Sequence, residues 1–236
     1  MTEGPTSRLV VDDLDFEVRA SARRATVEIT VDRGGELIIS APPEVPERVL
    51  VDFVREKKLW LYEKLAEKEA RRPPVAAKEL VSGEGFRYLG RSYRLQLVEA
   101  QDAALKLAGG RFRLRRDAID DGRSHFIAWY TEHGRCWLEK RVAGWAARMQ
   151  ARPTRVDVRD LGFRWGSCGR AGGLNFHWAT ILLPPGVVDY VIVHELAHLA
   201  EPNHTPAFWG NVARALTDYE ARKAWLAEHG RVYTAL

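Results

Sequence analysis

The chain is poor in cysteine: Cys136 and Cys168 are the only two among 236 residues. Two thiols cannot staple a disulfide scaffold, so the fold has to rest on a packed core, and both are expected reduced. Long apolar runs are also missing. No stretch approaches the length needed to cross a bilayer, and the opening MTEGPTSRLVVDDLDFE lacks the basic-then-apolar order of a signal peptide. A cytoplasmic protein without membrane contact is the expectation. The sequence shows neither repeats nor low-complexity tracts. Acidic excess is absent too: the formal charge is +4 and the pI about 9.1. That balance is compatible with nucleic-acid contact, but the basic residues are scattered as solvated faces are. What is present is ordinary for a globular domain, with 46% hydrophobic and 29% charged residues.

Periodicity divides the chain into an α+β sequence of elements. Segments FEVRA and ATVEITV alternate with period two, and ELIIS follows Gly34-Gly35, which predicts a hairpin. From Glu44 to Arg72, apolar Val49, Phe53, Leu61 and Leu65 recur at helical spacing, predicting one long amphipathic helix stopped by Pro73-Pro74. Residues 75–82 read as a linker. Two further hairpins are predicted, turning at Gly90-Arg91 and at Gly109-Gly110. A helix is expected over 123–151, closed by Pro153. Two strands, RVDVRDLGFRWGSC and GGLNFHWATILL, should then be joined by a glycine-rich turn. A boundary is expected near Pro73 to Ser82 or near Asp120; the division adopted is a β-hairpin-rich N-terminal region with one long helix over 1–120 and a second region over 121–236.

The chemistry concentrates in VIVHELAHLAEPNH, residues 191–204. Residues four apart share a helix face one turn apart, so His194 and His198 can reach one metal ion. Glu195, about a third of a turn away, is placed to act on a metal-activated water as general base. A catalytic zinc normally takes a third protein ligand. Pro202 breaks the helix after Glu201, and a chain turning back there brings His204 to the same ion. Thr205-Pro206 then starts a new helix, with threonine as cap and proline in the first turn. Glu201 competes for the third position, since it lies seven residues after His194, but a partner role toward a ligand histidine suits it better. Buried histidines and a buried glutamate in so apolar a run are costly unless they are paired or bind metal.

RWGSC (Arg164–Cys168), Leu174-Asn175, DYVIVHELAHL (Asp189–Leu199) and NHTPAFW (Asn203–Trp209) together resemble the YgjP-like family of zinc metallopeptidases, related to the WLM and SprT-like zincins. The resemblance is dense over 155–219. It implies a minimal zincin-like domain with one Zn2+ per chain on His194, His198 and His204, Glu195 as base, and a protein or peptide substrate along an edge strand. Trp165, Gly166 and Asn175 become candidate cleft residues. Gly166 allows a bulge or close backbone approach, and a strand edge can bind an extended peptide by strand addition. Tyr219, beyond the third ligand, is a candidate oxyanion donor, though a core or surface tyrosine is the commoner role. Where the family's pattern has an arginine, His177 stands; it is expected to be a partly exposed strand residue. Cys168 is expected as a small buried residue. The WLM and SprT-like relatives act on DNA-bound proteins, so with the basic pI the resemblance also raises DNA association. The rival reading is a zinc-stabilised nucleic-acid or protein-binding module without turnover, against which Glu195 argues.

Overall fold

A computed structural model describes residues 6–12, 14–22, 24–31, 37–70, 77–162, 164–169, 171–202, 204–234 and 236. The architecture is mixed α+β, and the chain divides into two compact units: 1–74 with 201–211, and 75–200 with 212–236. The expected turn at Gly34-Gly35 and the stops at Pro73-Pro74 lie outside the described residues.

In the first unit, β1 (Thr6–Val11), β2 (Leu14–Ala20), β3 (Glu28–Val31) and β4 (Leu37–Ala41) form a sheet in the order β1-β2-β4-β3. β1 starts ahead of the alternation read from Phe16, and it pairs antiparallel with β2. Helices α1 (Glu47–Glu56) and α2 (Lys58–Ala70) follow. They replace the single long helix expected, because Lys57 leaves helical geometry at φ −90° and ψ 5°. The buried stripe is Leu50, Val54 and Leu61; of the predicted positions Leu61 is buried, Phe53 and Leu65 pack partly buried against the same core, and Val49 is exposed. With Leu9, Phe16, Val18, Ile29 and Ile39 this stripe makes a separate core. Period-two alternation on β2 is what supplies its sheet side.

The second unit starts with β5 (Gly85–Tyr88), β6 (Arg91–Val98), β7 (Leu105–Ala108) and β8 (Arg111–Arg115), in the order β5-β6-β8-β7. Both predicted hairpins are present. Gly109 and Gly110 take positive φ of 58° and 71° in the second turn, where other residues would be strained. Helix α3 (Gly122–Met149) packs Phe126, Trp129 and Tyr130 onto Phe86 and Phe112. The first hairpin docks further along the chain. The amides of Leu89 and Gly90 donate to the carbonyls of Ile181 and Leu182 at 2.8 and 3.0 Å. A Cβ on Gly90 would meet the Pro184 backbone at 2.8 Å.

The two strands expected between 155 and 183 prove to be three. β9 (Arg155–Arg159), β10 (Gly166–Cys168) and β11 (Gly173–His177) pair in the order β10-β11-β9, with β9 parallel and β10 antiparallel to β11. Trp178–Leu182 coils into a 3-10 turn instead of extending the strand. Then come α4 (Pro185–Ala197), α5 (Pro206–Ala215) and α6 (Tyr219–His229). One topology recurs three times: a strand, an edge strand, and a third strand parallel to the first and antiparallel to the second, followed by helix. The sets are β2-β3-β4, β6-β7-β8 and β9-β10-β11. The recurrence is one of topology, without a repeat in sequence.

His177 corrects another expectation, since it is buried at 5% exposure. Its Nδ1 accepts from the Ala179 amide at 3.0 Å and caps the 3-10 turn. The neutral ring therefore carries its proton on Nε2, 3.3 Å from Oδ1 of exposed Asp160. Burial pushes the imidazole below its ordinary pKa, and Asp160 works against that. With the folded value below the unfolded one, the unfolded chain protonates first as pH falls. The stability held by neutral His177 is thus complete above about pH 6.5. It is lost as pH falls from there through the folded-state value. In thermal melts taken across this range, wild type should lose more stability on acidification than His177→Gln. Parallel curves would show that this ring does not carry the pH dependence.

Candidate metal centre

The candidate metal centre is built on α4, whose burial dominates its surroundings. Val187, Val188, Tyr190, Val191, Ile192, Val193, Leu196 and Ala197 are all buried, so apolar contact encloses the helix on nearly every side. Pro184-Pro185 starts it, with proline in the first turn. It ends in a tightened turn: the amides of Leu199 and Ala200 reach back to Leu196 and Ala197 at 3.1 Å each. The helix thus stops before the Pro202 break, with His198 as its C-cap.

His194 and His198 lie one turn apart with ring centroids 4.9 Å from one another. His204 joins them. One ring nitrogen from each of the three lies within 4.8 Å of the others. A tetrahedral zinc with nitrogens at about 2.1 Å sets them about 3.4 Å apart, so small ring rotations close this triangle onto an ion. Three imidazole donors with no cysteine among them are a ligand set that suits zinc. The structure therefore groups His204 with the helical pair, and Glu201 is not part of the cluster.

Local structure explains why His204 stands there. The Phe208 amide donates to Thr205 Oγ1 at 3.3 Å, the cap predicted from Thr205-Pro206. Helix α5 then presents two rings to the histidine: Phe208 edge-on at 4.7 Å and Trp209 stacked at 5.6 Å. Sequence reasoning used the cap and missed the two aromatics, although Phe208-Trp209 one turn past a candidate ligand was the signal. Tyr190, with its ring 5.9 Å from His194, was missed as well. It sits one turn before His194, in the same i, i+4 series.

Glu195 is buried at 6% exposure, and its carboxyl lies against β10. A Cβ built on Gly166 would stand 2.8 Å from both Cγ and Oε1 of Glu195. Only glycine lets the strand approach so closely. β10 is the terminal strand of its sheet, with β11 on one side. Behind it, buried Asn175 on β11 faces Ser167 across the pair, and its Nδ2 donates to Ser167 Oγ at 3.3 Å. The Trp165 carbonyl accepts from the His177 amide and from Thr180 Oγ1, both at 2.9 Å. The Trp165 ring packs on Gly230, where a Cβ would meet it at 2.9 Å. Tyr219 opens α6, and its hydroxyl donates to Glu220 at 3.2 Å. Cys168 is half-buried, and neither cysteine is in a disulfide.

Comparison with known proteins bears on this arrangement. No curated protein matches the chain. A crystal structure of the metallopeptidase zymogen of Pyrococcus abyssi abylysin is 23% identical, with a TM-score of 0.35; the match covers 42% of this chain and 94% of that one. Residues 25–229 match the family described as YgjP-like, metallopeptidase domain. That span takes in both sides of the histidine cluster and most of the sequence, and a metallopeptidase family implies a metal ion and a peptide or protein substrate. The chain belongs to the YgjP-like metallopeptidase family.

Proposed function

We propose that the protein is a zinc-dependent peptidase in which His194, His198 and His204 hold a single Zn2+ and Glu195 is the general base. The observation that carries this reading is the triangle of three imidazole nitrogens within 4.8 Å, one residue from a buried carboxylate. Zinc, when bound, supplies the Lewis acid that lowers the pKa of water and polarises the scissile carbonyl. The remaining steps belong to the protein. Glu195 takes a proton from the attacking water and passes it to the leaving amine nitrogen. Gly166 holds the Glu195 carboxyl in place by offering no side chain of its own. The outer edge of β10 takes the substrate as an added strand, with Trp165, Gly166 and Asn175 forming the wall behind it. Tyr219 remains only a candidate for the supplementary oxyanion donor, since its hydroxyl is bonded to Glu220 and a core or surface role is the commoner one for such a tyrosine. The minimal zincin-like arrangement is the edge strand β10 beside the metal helix α4.

The division at residue 120 is functional in this reading, not one of compactness, since β5–β8 pack on α3. Chemistry is assigned to 121–236, and selection of substrate or partner to 1–120. Assays should offer casein-like proteins both alone and bound to DNA, the second arm testing the association raised by the basic pI.

Three outcomes test the site. Metal analysis of purified protein should give one zinc per chain, with His204→Ala nearly empty and Glu201→Ala full; the opposite pattern would make Glu201 the third ligand. Glu195→Gln keeps shape and removes the base, so zinc content should equal wild type while hydrolysis falls by roughly 10²- to 10⁴-fold. Equal rates for the two proteins would leave a zinc-bound module without this base. Gly166→Ala should displace the Glu195 carboxyl. With an error near 1 Å, activity should drop by up to about 10²-fold at unchanged zinc content, and undiminished turnover would show that the close approach has no role in catalysis.

A further inference from the structure

Helix α4 presents a physical problem. An amphipathic helix is oriented by its apolar stripe, which turns toward the core. α4 is apolar nearly all round, so burial does not select its rotation about its own axis. The direction of His194, Glu195 and His198 depends on that rotation. At about 100° per residue, a slip of one position would swing all three away from their present faces.

One polar group on α4 outside the metal face supplies direction. Asp189 is buried at 5% exposure. Its Oδ1 accepts from Arg141 Nε at 2.6 Å and from Trp145 Nε1 at 2.8 Å, and its Oδ2 accepts from Arg141 Nη2 at 2.6 Å. Arg141 and Trp145 are one turn apart on α3, so both reach the carboxylate from one rigid helix. A second helix holds the same end of α4: Arg222 on α6 donates to the Gly186 carbonyl at 2.6 Å and lies 3.9 Å from Asp189 Oδ2. Asp218, one turn earlier, accepts from Arg222 Nε at 2.9 Å and steadies it. A bidentate guanidinium–carboxylate pair is directional in a way that apolar contact is not. Asp189 is five residues before His194 and nine before His198, which puts it about 140° and about 180° round the helix from them. The clamp therefore grips the back of the helix whose front carries the imidazoles.

We infer that Asp189 is a positioning residue of the metal centre: its bonds from Arg141 and Trp145 set the rotation of α4, and through it the aim of His194, Glu195 and His198. The inference rests on the reading that these histidines hold zinc. It makes a distinction that a purely stabilising ion pair would not. Here the carboxylate is buried while the Arg141 side chain is 45% exposed; exchanging the desolvated carboxylate and its partner for apolar side chains can leave stability largely intact, whereas it removes the directional bonds.

The test uses the full-length protein and two readouts besides activity: zinc affinity by chelator competition, and the visible absorption of the cobalt(II)-substituted protein, which reports ligand geometry. The variants are Asp189→Asn, the apolar pair Asp189→Leu with Arg141→Met, and the mild Trp145→Phe, which removes a single donor. The apolar pair should melt near wild type yet bind zinc about 10- to 100-fold more weakly, as when groups that orient metal ligands are removed, with an altered cobalt spectrum. Asp189→Asn should show the same direction of change, and Trp145→Phe a smaller one. Variants that keep wild-type zinc affinity and cobalt spectrum, whatever their melting temperature, would overturn the inference and leave the metal-site reading standing. A wild-type protein that takes up neither metal would overturn both. If the stronger variants fail to fold, Trp145→Phe decides by the same two readouts.

Discussion

Everything about the candidate metal centre depends on burying a helix that carries ionisable groups. α4 is enclosed almost completely, yet it and its C-cap carry Asp189, His194, Glu195 and His198. Each such group in an apolar setting is costly unless a partner meets it. The fold meets the demand differently at the two ends. Near the N-terminus, Asp189 receives Arg141 and Trp145. Near the C-terminus, the two histidines are met by a third, with one ring nitrogen from each in a single cluster. Between them, the Glu195 carboxyl lies against a glycine backbone. A helix of this composition is hard to place by hydrophobicity alone, and its surroundings are correspondingly specific.

Those surroundings have a common topological source. The arrangement of strand, edge strand and returning parallel strand occurs in β2-β3-β4, in β6-β7-β8 and in β9-β10-β11, each time followed by helix. In the third occurrence the edge strand is shortened to Gly166–Cys168 and lies next to the metal helix. The middle occurrence serves the third directly. Its first hairpin turn, Leu89-Gly90, donates two amides into the 3-10 turn that leads to α4. Pro184, at the start of α4, sits so close to Gly90 that a methyl group there would collide with it. A four-stranded sheet outside the site thus meets the chain where α4 begins.

Much of this was legible from local pattern. The hairpins at Gly90 and Gly109-Gly110, the helix over α3 and the cap at Thr205 all follow from interactions within a few residues, which periodicity and turn chemistry record. Failures fell where the deciding contact is distant. WATILL has strand composition, yet it coils because His177 caps it and the Leu89-Gly90 turn takes up its carbonyls. The stripe on α1 centres on Leu50 and Val54 and leaves Val49 exposed, because packing against β1–β4 selects among neighbouring apolar positions. His177 looked like a surface histidine, since nothing nearby in sequence announces the burial of its strand or its contact with Asp160.

The same division applies to the site. The sequence by itself determined that His194 and His198 share a helix face, that Glu195 lies beside them, and that the chain breaks at Pro202 before His204; four-residue spacing and proline stereochemistry require no more than the local backbone. Tertiary structure alone decided what those side chains point at. That Gly166 lies against Glu195, and that Asp189 meets Arg141 and Trp145 from a helix more than forty residues earlier, are contacts between distant segments. Periodicity carries no record of them, because a helix buried on all sides has no preferred face until its neighbours supply one.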